Sequence, residues 1–475
     1  MRLIFFFHCL LLSVSLFGQE LDRSMVKINV TRQEYDYNQP WQKSKQSKSS
    51  GSGCIIDSNR ILTCAHVVEF GTFIEVKKNK DARRYTASVE YLAPEYDLAI
   101  LKVDDEHFFN KTRPMPIGDL PYNGDRVTVY GFPTGGNDLS ITSGIVSRIE
   151  DLEYSYDNYN DLGIQIDAAI NAGNSGGPVL KDTALVGVAF QGRSSAQNIG
   201  YMIPTTIIRS FLRDIADGSF EGPVPVLLQW QNMENEILRR CYGLDDTASG
   251  VLINKVHPCS ALAGALEPDD IVLSIDGRAV LNDGSLYLTD EVKTSFETLI
   301  KNKGMGDTVA IRVLRYGTDT VLYQPLHYNR TKSLLVGKVD LSPKYYIQNG
   351  FVFTTPSYYY FQNEPYWQYY YPEFSAYYYG KELNTAEREE LVMISSVLPF
   401  RSNLGYHDVK NKLVHKINGY NIRNFNDLVR AFERPTDYYI IEDSEGRKYI
   451  FDSARLEDDN QEIFRKYGIT KYMRN

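Results

Sequence analysis

"QIDAAINAGNSGGPVL", residues 165–180, is the stretch on which the reading of the fold turns. Glycines crowd around Ser175 between two apolar runs. Such a stretch reads either as a tight turn or as the seat of a nucleophile. The local pattern does not choose, because a serine hydroxyl is a weak nucleophile without a base beside it. The base, and whatever orients it, must come from elsewhere in the chain.

The chain has seven histidines, and one of them, His66, ends the apolar run "RILTCAHVV". Taken alone, a histidine there reads as structural. Asp97, in "EYDLAILKV", enters an apolar strand, where a carboxylate is costly to bury unless something pairs with it. Taken alone, it reads as a strand-end residue beside a turn. Together the three acquire a meaning. The order His66, Asp97, Ser175 is that of the chymotrypsin type, in which the aspartate fixes the tautomer of the histidine. The N–H groups of Gly173 and Ser175 can then aim at one point, as an oxyanion hole requires. Gly176 and Gly177 let the chain turn tightly behind the nucleophile.

The setting fits. Short β-like runs ("GCIID", "DLAILKV", "RVTVYGF", "ITSGIVSRI", "ALVGVAF") follow one another with turn residues between, as in an all-β sandwich or barrel. "PTTIIRSFLRDIADG" closes the region, with Ile207, Ile208, Phe211, Leu212 and Ile215 on one helical face and Gly218 able to end the helix. "GSFEGPVPV" reads as a linker. The next unit, "GVLINKVHPCSALAGALEPDDIVLSIDGRAV", reads as strand, short helix opened by Ser260, turn, strand and hairpin, followed by a helix at "DEVKTSFETLIKNKG" and the strand "TVAIRVLRYG". "LVHKINGYNIRNFNDLVRAF" echoes that pattern, so the region from about Lys332 reads as a second, diverged copy. It carries the insert "PSYYYFQNEPYWQYYYPEFSAYYYG" with ten tyrosines.

Bulk properties set the outer limits. The 475 residues suggest roughly three domains at ~150 residues each. A net charge of −9 without a basic stripe argues against nucleic acid as the main partner. At the N-terminus, Arg2 precedes an apolar run from Leu3 to Phe17, shorter than the ~20 residues a bilayer span needs. It reads as a cleaved export signal, with an uncleaved anchor as the alternative. Export permits disulfides. Cys54 and Cys64 flank an expected hairpin turn at Ser58-Asn59 and read either as a pair or as free buried thiols. No CxxC spacing is present, so no metal site is expected.

The blocks "SGSGCIIDSNRILTCAHVV", "YDLAIL" and "DAAINAGNSGGPVL" resemble those that carry the catalytic residues of the Deg/HtrA serine proteases. "QPWQKSKQ", "WQNMENEILRRCYGL", "NLGYHDVKNKLVHKINGYNIRNFNDL" and "FRKYGIT" are similar to the two-PDZ branch best known from plants. The resemblance implies a mainly β chain: a chymotrypsin-like double β-barrel protease domain (19–220, after a signal at 1–18), then two PDZ-like α/β domains (228–330 and 332–475), the second degenerate. It implies His66 as general base, Asp97 as its orienter, Ser175 as nucleophile, and the Gly173 and Ser175 N–H groups as oxyanion hole. It implies Ile199, Gly200 and Tyr201 in "NIGYMIP" as the wall of a specificity pocket for small aliphatic side chains. It implies Tyr242, Gly243 and Leu244 as the loop that captures a peptide carboxylate, with "GVLINKV" pairing with the peptide by strand addition.

Ala172 stands where the family often has proline, which leaves the loop freer and allows a resting form with an unformed oxyanion hole. Asp269 stands where PDZ turns often have glycine, a place aspartate tolerates better than most residues. The resulting expectation is an exported, ATP-independent endopeptidase without cofactor or metal, acting on unfolded or misfolded proteins. It would bind peptide C-termini at the first PDZ domain, assemble as a trimer or a multiple of trimers, and work in the periplasm or outside a bacterium. The alternatives are a chaperone or adaptor that seldom cuts, and a regulatory protease with one target switched on through PDZ binding. The tyrosine-rich insert reads as interface or core, or as a sticky platform for unfolded chains.

Overall fold

The computed structural model describes residues 22–57, 59–133, 136–154, 159–192, 199–245, 247–327, 342–362 and 385–474. The expected signal (1–18), the turn residue Ser58 and most of the tyrosine-rich insert lie outside these residues.

Six antiparallel strands close the first barrel: β1 (Met25–Arg32), β2 (Ser47–Ile55), β3 (Arg60–Thr63), β4 (Gly71–Lys78), β5 (Tyr85–Ala93) and β6 (Leu98–Val103). The first strand is absent from the sequence reading. "MVKINVTR" buries Val26, Ile28 and Val30 at alternate positions, as the two-residue period of a strand demands. β2 carries glycine where neighbours crowd it. A Cβ on Gly53 would stand 2.9 Å from the Leu62 carbonyl and 3.0 Å from Ile28 Cδ1.

The second barrel is closed by β7 (Arg126–Gly131), β8 (Ser140–Tyr154), β9 (Tyr159–Ile166), β10 (Pro178–Lys181), β11 (Ala184–Gly192) and β12 (Gly200–Pro204). The helix Thr205–Asp214 follows and buries Ile207, Ile208 and Phe211. Ile215 opens a short 3₁₀ turn that ends at Gly218, whose φ is +93°.

The next domain is a sheet in the order β13 (Leu228–Asn232), β14 (Val251–Val256), β15 (Ile271–Ile275), β19 (Thr308–Arg315), β20 (Thr318–Pro325), with β16 (Arg278–Ala279) beside β15. The short helix expected after Ser260 is a set of turns instead. Gly264, at φ +87°, interrupts it after four residues. The later helix spans only Phe296–Lys301, because β18 (Lys293–Ser295) is drawn into pairing with β17 (Ser285–Tyr287). Ser295 then caps the helix by accepting from the Glu297 N–H. Asp269 takes the left-handed conformation at φ +71°.

Residues 47–328, with the N-terminal segment to Arg32, form one compact unit. Residues 329–475 form a second, and residues 33–46 belong to it although they connect β1 to β2. The second unit is a sheet in the order β27 (Lys448–Asp452), β26 (Tyr438–Asp443), β24 (Lys412–Ile417), β23 (Met393–Val397), β22 (Phe351–Thr354), β21 (Tyr345–Gln348), β28 (Met473–Arg474), with β25 (Tyr420–Asn421) beside β24. The helix Phe425–Phe432, capped by Asn424, covers its core of Phe351, Phe353, Ile394, Ile417 and Phe451. Trp41 packs beside Tyr345, Ile347 and Val352, and Tyr37 stacks on Tyr359 at 5.7 Å. The opening of the tyrosine-rich insert is core here: Tyr360 and Phe361 are buried, and the Tyr360 hydroxyl donates to Asn411 Oδ1. No described helix is long and apolar enough to cross a membrane.

Candidate active site

Two loops of the first barrel hold His66 and Asp97. His66 lies in the single helical turn Ala65–Val68 that follows β3. Asp97 ends the 3₁₀ turn Pro94–Tyr96 in the left-handed conformation, φ +50°, which swings its carboxylate under the histidine. Asp97 Oδ2 lies 2.7 Å from His66 Nδ1, Oδ1 accepts from the His66 backbone N–H at 3.0 Å, and the Asp97 carbonyl accepts from Ala65 N–H. The Asp97 side chain is 1% exposed and that of His66 30%. Burial lowers the His66 pKa, but the charge and hydrogen bond of Asp97 outweigh it and hold the net value above the ordinary 6.5. Only the neutral imidazole can take a proton. Cleavage is therefore expected to fall away as pH drops through a midpoint above 6.5, read as the acid limb of kcat/KM against pH.

Ser175 sits on the loop between β9 and β10, and the loop is stitched to the first barrel. Ser52 N–H donates to the Ser175 carbonyl at 2.9 Å. Ser52 Oγ donates to the Gly173 carbonyl at 2.7 Å and accepts from Phe132 N–H, while Thr63 Oγ1 donates to the Ser52 carbonyl. Ser52 thus supports the Ser175 loop, a role the sequence reading did not give it; a serine inside a glycine-rich strand was the available signal. Gly173 and Gly176 take φ of +97° and +82°. A Cβ on Gly176 would lie 2.2 Å from both the Ser52 carbonyl and Thr63 Oγ1, and 3.0 Å from Cys64 N, two residues before His66. Gly176→Ala is expected to cost about 2–4 kcal/mol from the close contact and the left-handed backbone together, read as a lowered Tm.

Among the described residues, no backbone carbonyl accepts the N–H of Gly173 or of Ser175. The Ser175 hydroxyl donates to the Phe190 carbonyl at 3.2 Å.

The expected pocket residues separate. Ile199 packs on the edge of the main core, whereas the Tyr201 side chain lies inside that core, 1% exposed. Gly200 lets Ile170 approach, since a Cβ there would stand 2.7 Å from the Ile170 side chain. Cys54 and Cys64 are free and buried, and burial pushes the Cys54 thiol up to about 12. Cys64, His66 and Asp97 offer ligand atoms within 4.8 Å of one another, a cluster the sequence reading missed. Cys64 is a poor ligand, because burial first and the Asp97 charge second hold its thiol protonated, and it donates to the Ala189 carbonyl.

The peptide-binding assignment in the first PDZ-like domain needs correction. β14, which carries "GVLINKV", has β13 on one side and β15 on the other, so it has no edge for an added strand. The N–H groups of Tyr242, Gly243 and Leu244 donate to the carbonyls of Leu238, Arg240 and Arg239. They cap the helix Glu236–Cys241 and have nothing left for a carboxylate. Leu244 is buried beside Met233 and Leu252, and the Tyr242 hydroxyl donates to Asp269. The edge beside β14 is β13, whose Trp230 meets Phe296 edge-on at 5.5 Å and donates to Glu297 Oε1 at 2.7 Å.

Known proteins share this architecture. Residues 51–188 match the trypsin-like peptidase domain and residues 336–474 the PDZ domain. The chain is 36% identical over 430 residues to the putative mitochondrial protease Do-like 3 of Arabidopsis thaliana, covering 90% of this chain and 75% of that one. It is 36% identical over 438 residues to the chloroplastic protease Do-like 2 of the same plant, covering 88% and 69%. A solved HtrA-type protease, AlgW with a decapeptide, shares the fold with a TM-score of 0.50 at 24% identity, over 66% of this chain and 98% of that one. The chain therefore belongs to the Do-like (Deg/HtrA) family of serine endopeptidases, with a trypsin-like peptidase domain and a PDZ domain.

Proposed function

We propose that this chain cleaves unfolded or damaged proteins through Ser175, without ATP. The observation that carries the reading is the buried Asp97 carboxylate on His66 Nδ1, in a chain whose Ser175 loop is bonded to the same barrel. Asp97 holds the Nδ1 proton, so Nε2 is left as the base. The Ser175 hydroxyl turns from the Phe190 carbonyl to His66, gives up its proton and attacks the peptide carbonyl. The oxyanion is met by the N–H groups of Gly173 and Ser175. The protonated His66 then gives its proton to the leaving amine, and water, activated by the same imidazole, releases the acyl group. Ile199 and Gly200 flank the side chain before the cut.

Peptide C-termini dock on the first PDZ-like domain along the β13 edge, beside the helix Phe296–Lys301. A peptide with a free C-terminal carboxylate is expected to shift Trp230 fluorescence, a response that Trp230→Phe removes. The N-terminal apolar segment supports export to the periplasm or beyond, which N-terminal sequencing of the secreted mature protein checks. The mass of the assembly in solution tests the trimer, and deleting residues 356–380 tests the insert as its interface.

The reading is tested with reduced, unfolded casein beside a panel of unrelated unfolded and folded proteins. Broad cleavage of the unfolded set supports it. Cleavage of one substrate alone favours a regulatory protease, and none, even with C-terminal peptides added, favours a chaperone.

A further inference from the structure

The helix Phe296–Lys301 of the first PDZ-like domain is held at both ends by residues of the peptidase domain. At its start, Asp151 of β8 accepts from the Ser295 N–H at 2.6 Å and from the hydroxyls of Thr294 and Thr298 at 2.5 and 3.2 Å. At its end, Asn302 Nδ2 donates to Asp161 Oδ1 of β9 at 3.0 Å. The Asn302 carbonyl accepts from Ser210 Oγ and Arg213 Nη2 of the helix that follows the second barrel.

Asp161 is fully buried, and its Oδ1 also accepts from the Leu162 N–H. Among the described residues, its Oδ2 has no hydrogen-bond partner, and neither has Asn302 Oδ1. Each buried, orphaned acceptor carries a desolvation penalty. One proton answers both. Protonated on Oδ2, Asp161 donates to Asn302 Oδ1 while its own Oδ1 still accepts from Nδ2, closing an acid–amide pair.

We propose that Asp161 and Asn302 form a proton-operated latch that fastens the first PDZ-like domain to the second barrel, tight when Asp161 is protonated and loosened when it is ionised.

The surroundings give the latch its working range. Burial pushes the Asp161 carboxyl up to about 6, against the hydrogen bonds from Asn302 and Leu162 and the charge of Lys301; Asp151 pushes it further up. From the helix side, Lys301 is shared with Glu297 at 3.3 Å. From β8, Tyr154 faces the same region as a neutral phenol, held protonated by burial and donating to the Leu162 carbonyl. Arg213 is shared with Asp307 at 3.9 Å. The folded-state value lies above the ordinary 3.8, so the folded form binds the proton first. The fastening therefore strengthens as pH falls through about 6 and weakens as pH rises past it.

The test is hydrogen exchange of the amides of residues 296–302 in the full chain, corrected for intrinsic exchange, at pH 7.5 and pH 5.0. Protection in the parent is expected to rise on the order of tenfold at the lower pH, the linkage of one proton over this range. Asp161→Asn supplies an amide donor in place of the missing proton, so its protection is high at both pH values. Asn302→Ala is low at both. A parent whose protection does not change, or an Asp161→Asn variant that keeps the parent's response, overturns the latch. If Asp161→Asn fails to fold, Asn302→Ala decides alone, and a surviving tenfold response there overturns it. Peptidase activity is not the readout, so the result is independent of the role of Ser175.

Discussion

Ser175→Ala is expected to abolish cleavage of unfolded casein, lowering the rate by on the order of 10⁴- to 10⁶-fold while leaving Tm close to that of the parent. The structure explains why the two readouts part. Among the described residues, the Ser175 hydroxyl makes one hydrogen bond, to the Phe190 carbonyl, whereas the loop is held by backbone groups: the Ser175 carbonyl on Ser52, Gly176 N–H on Ala189, and Gly177 N–H on Asn174. Removing the hydroxyl leaves these intact and takes away the atom proposed to form the acyl-enzyme. Cleavage by the alanine variant at the parent's rate would mean that another group attacks, and the assignment of Ser175 would fall.

Asp97→Asn is expected to lower kcat by about 10⁴-fold. Both carboxylate oxygens are used as acceptors, one by the His66 N–H and one by Nδ1. An amide offers only one acceptor. If its oxygen keeps the backbone N–H, its NH₂ faces Nδ1 and drives the ring proton to Nε2, where a base is needed. The variant should fold and bind a substrate-like peptide normally, so the loss appears in kcat rather than in KM. The acid limb of its pH profile should also move down, since the charge that raises the His66 pKa is gone. An unchanged kcat would show that Asp97 does not orient the histidine.

Much of the peptidase half was legible because its chemistry needs rare residue types in a fixed order. One histidine at a strand end, one aspartate entering an apolar strand and one serine among glycines restrict each other. The alternation of β-like runs shows that strands exist, but not which of them lies at an edge. "GVLINKV" is an apolar strand in either case, and only the pairing of "LQWQN" along its length reveals that it is interior. "CYGL" could equally well be a carboxylate loop or a helix cap; the backbone donors are the same atoms, and tertiary structure decides where they point. β1 was hidden because eight alternating residues lie between an apolar leader and a polar stretch. Ser52 was hidden because its role depends on contacts with residues more than a hundred positions away.

The segment 33–46 has a consequence for how the protein is made. It joins the first two strands of the peptidase barrel, yet Trp41 and Tyr37 rest on Tyr345, Ile347 and Tyr359, and the Pro40 carbonyl accepts from Arg474 near the last residue. Synthesis is vectorial, so this early connection waits for residues made 434 positions later before it is covered. A nascent peptidase domain emerges with two large aromatic side chains uncovered, and that part of the fold is sealed only after β28 has been made.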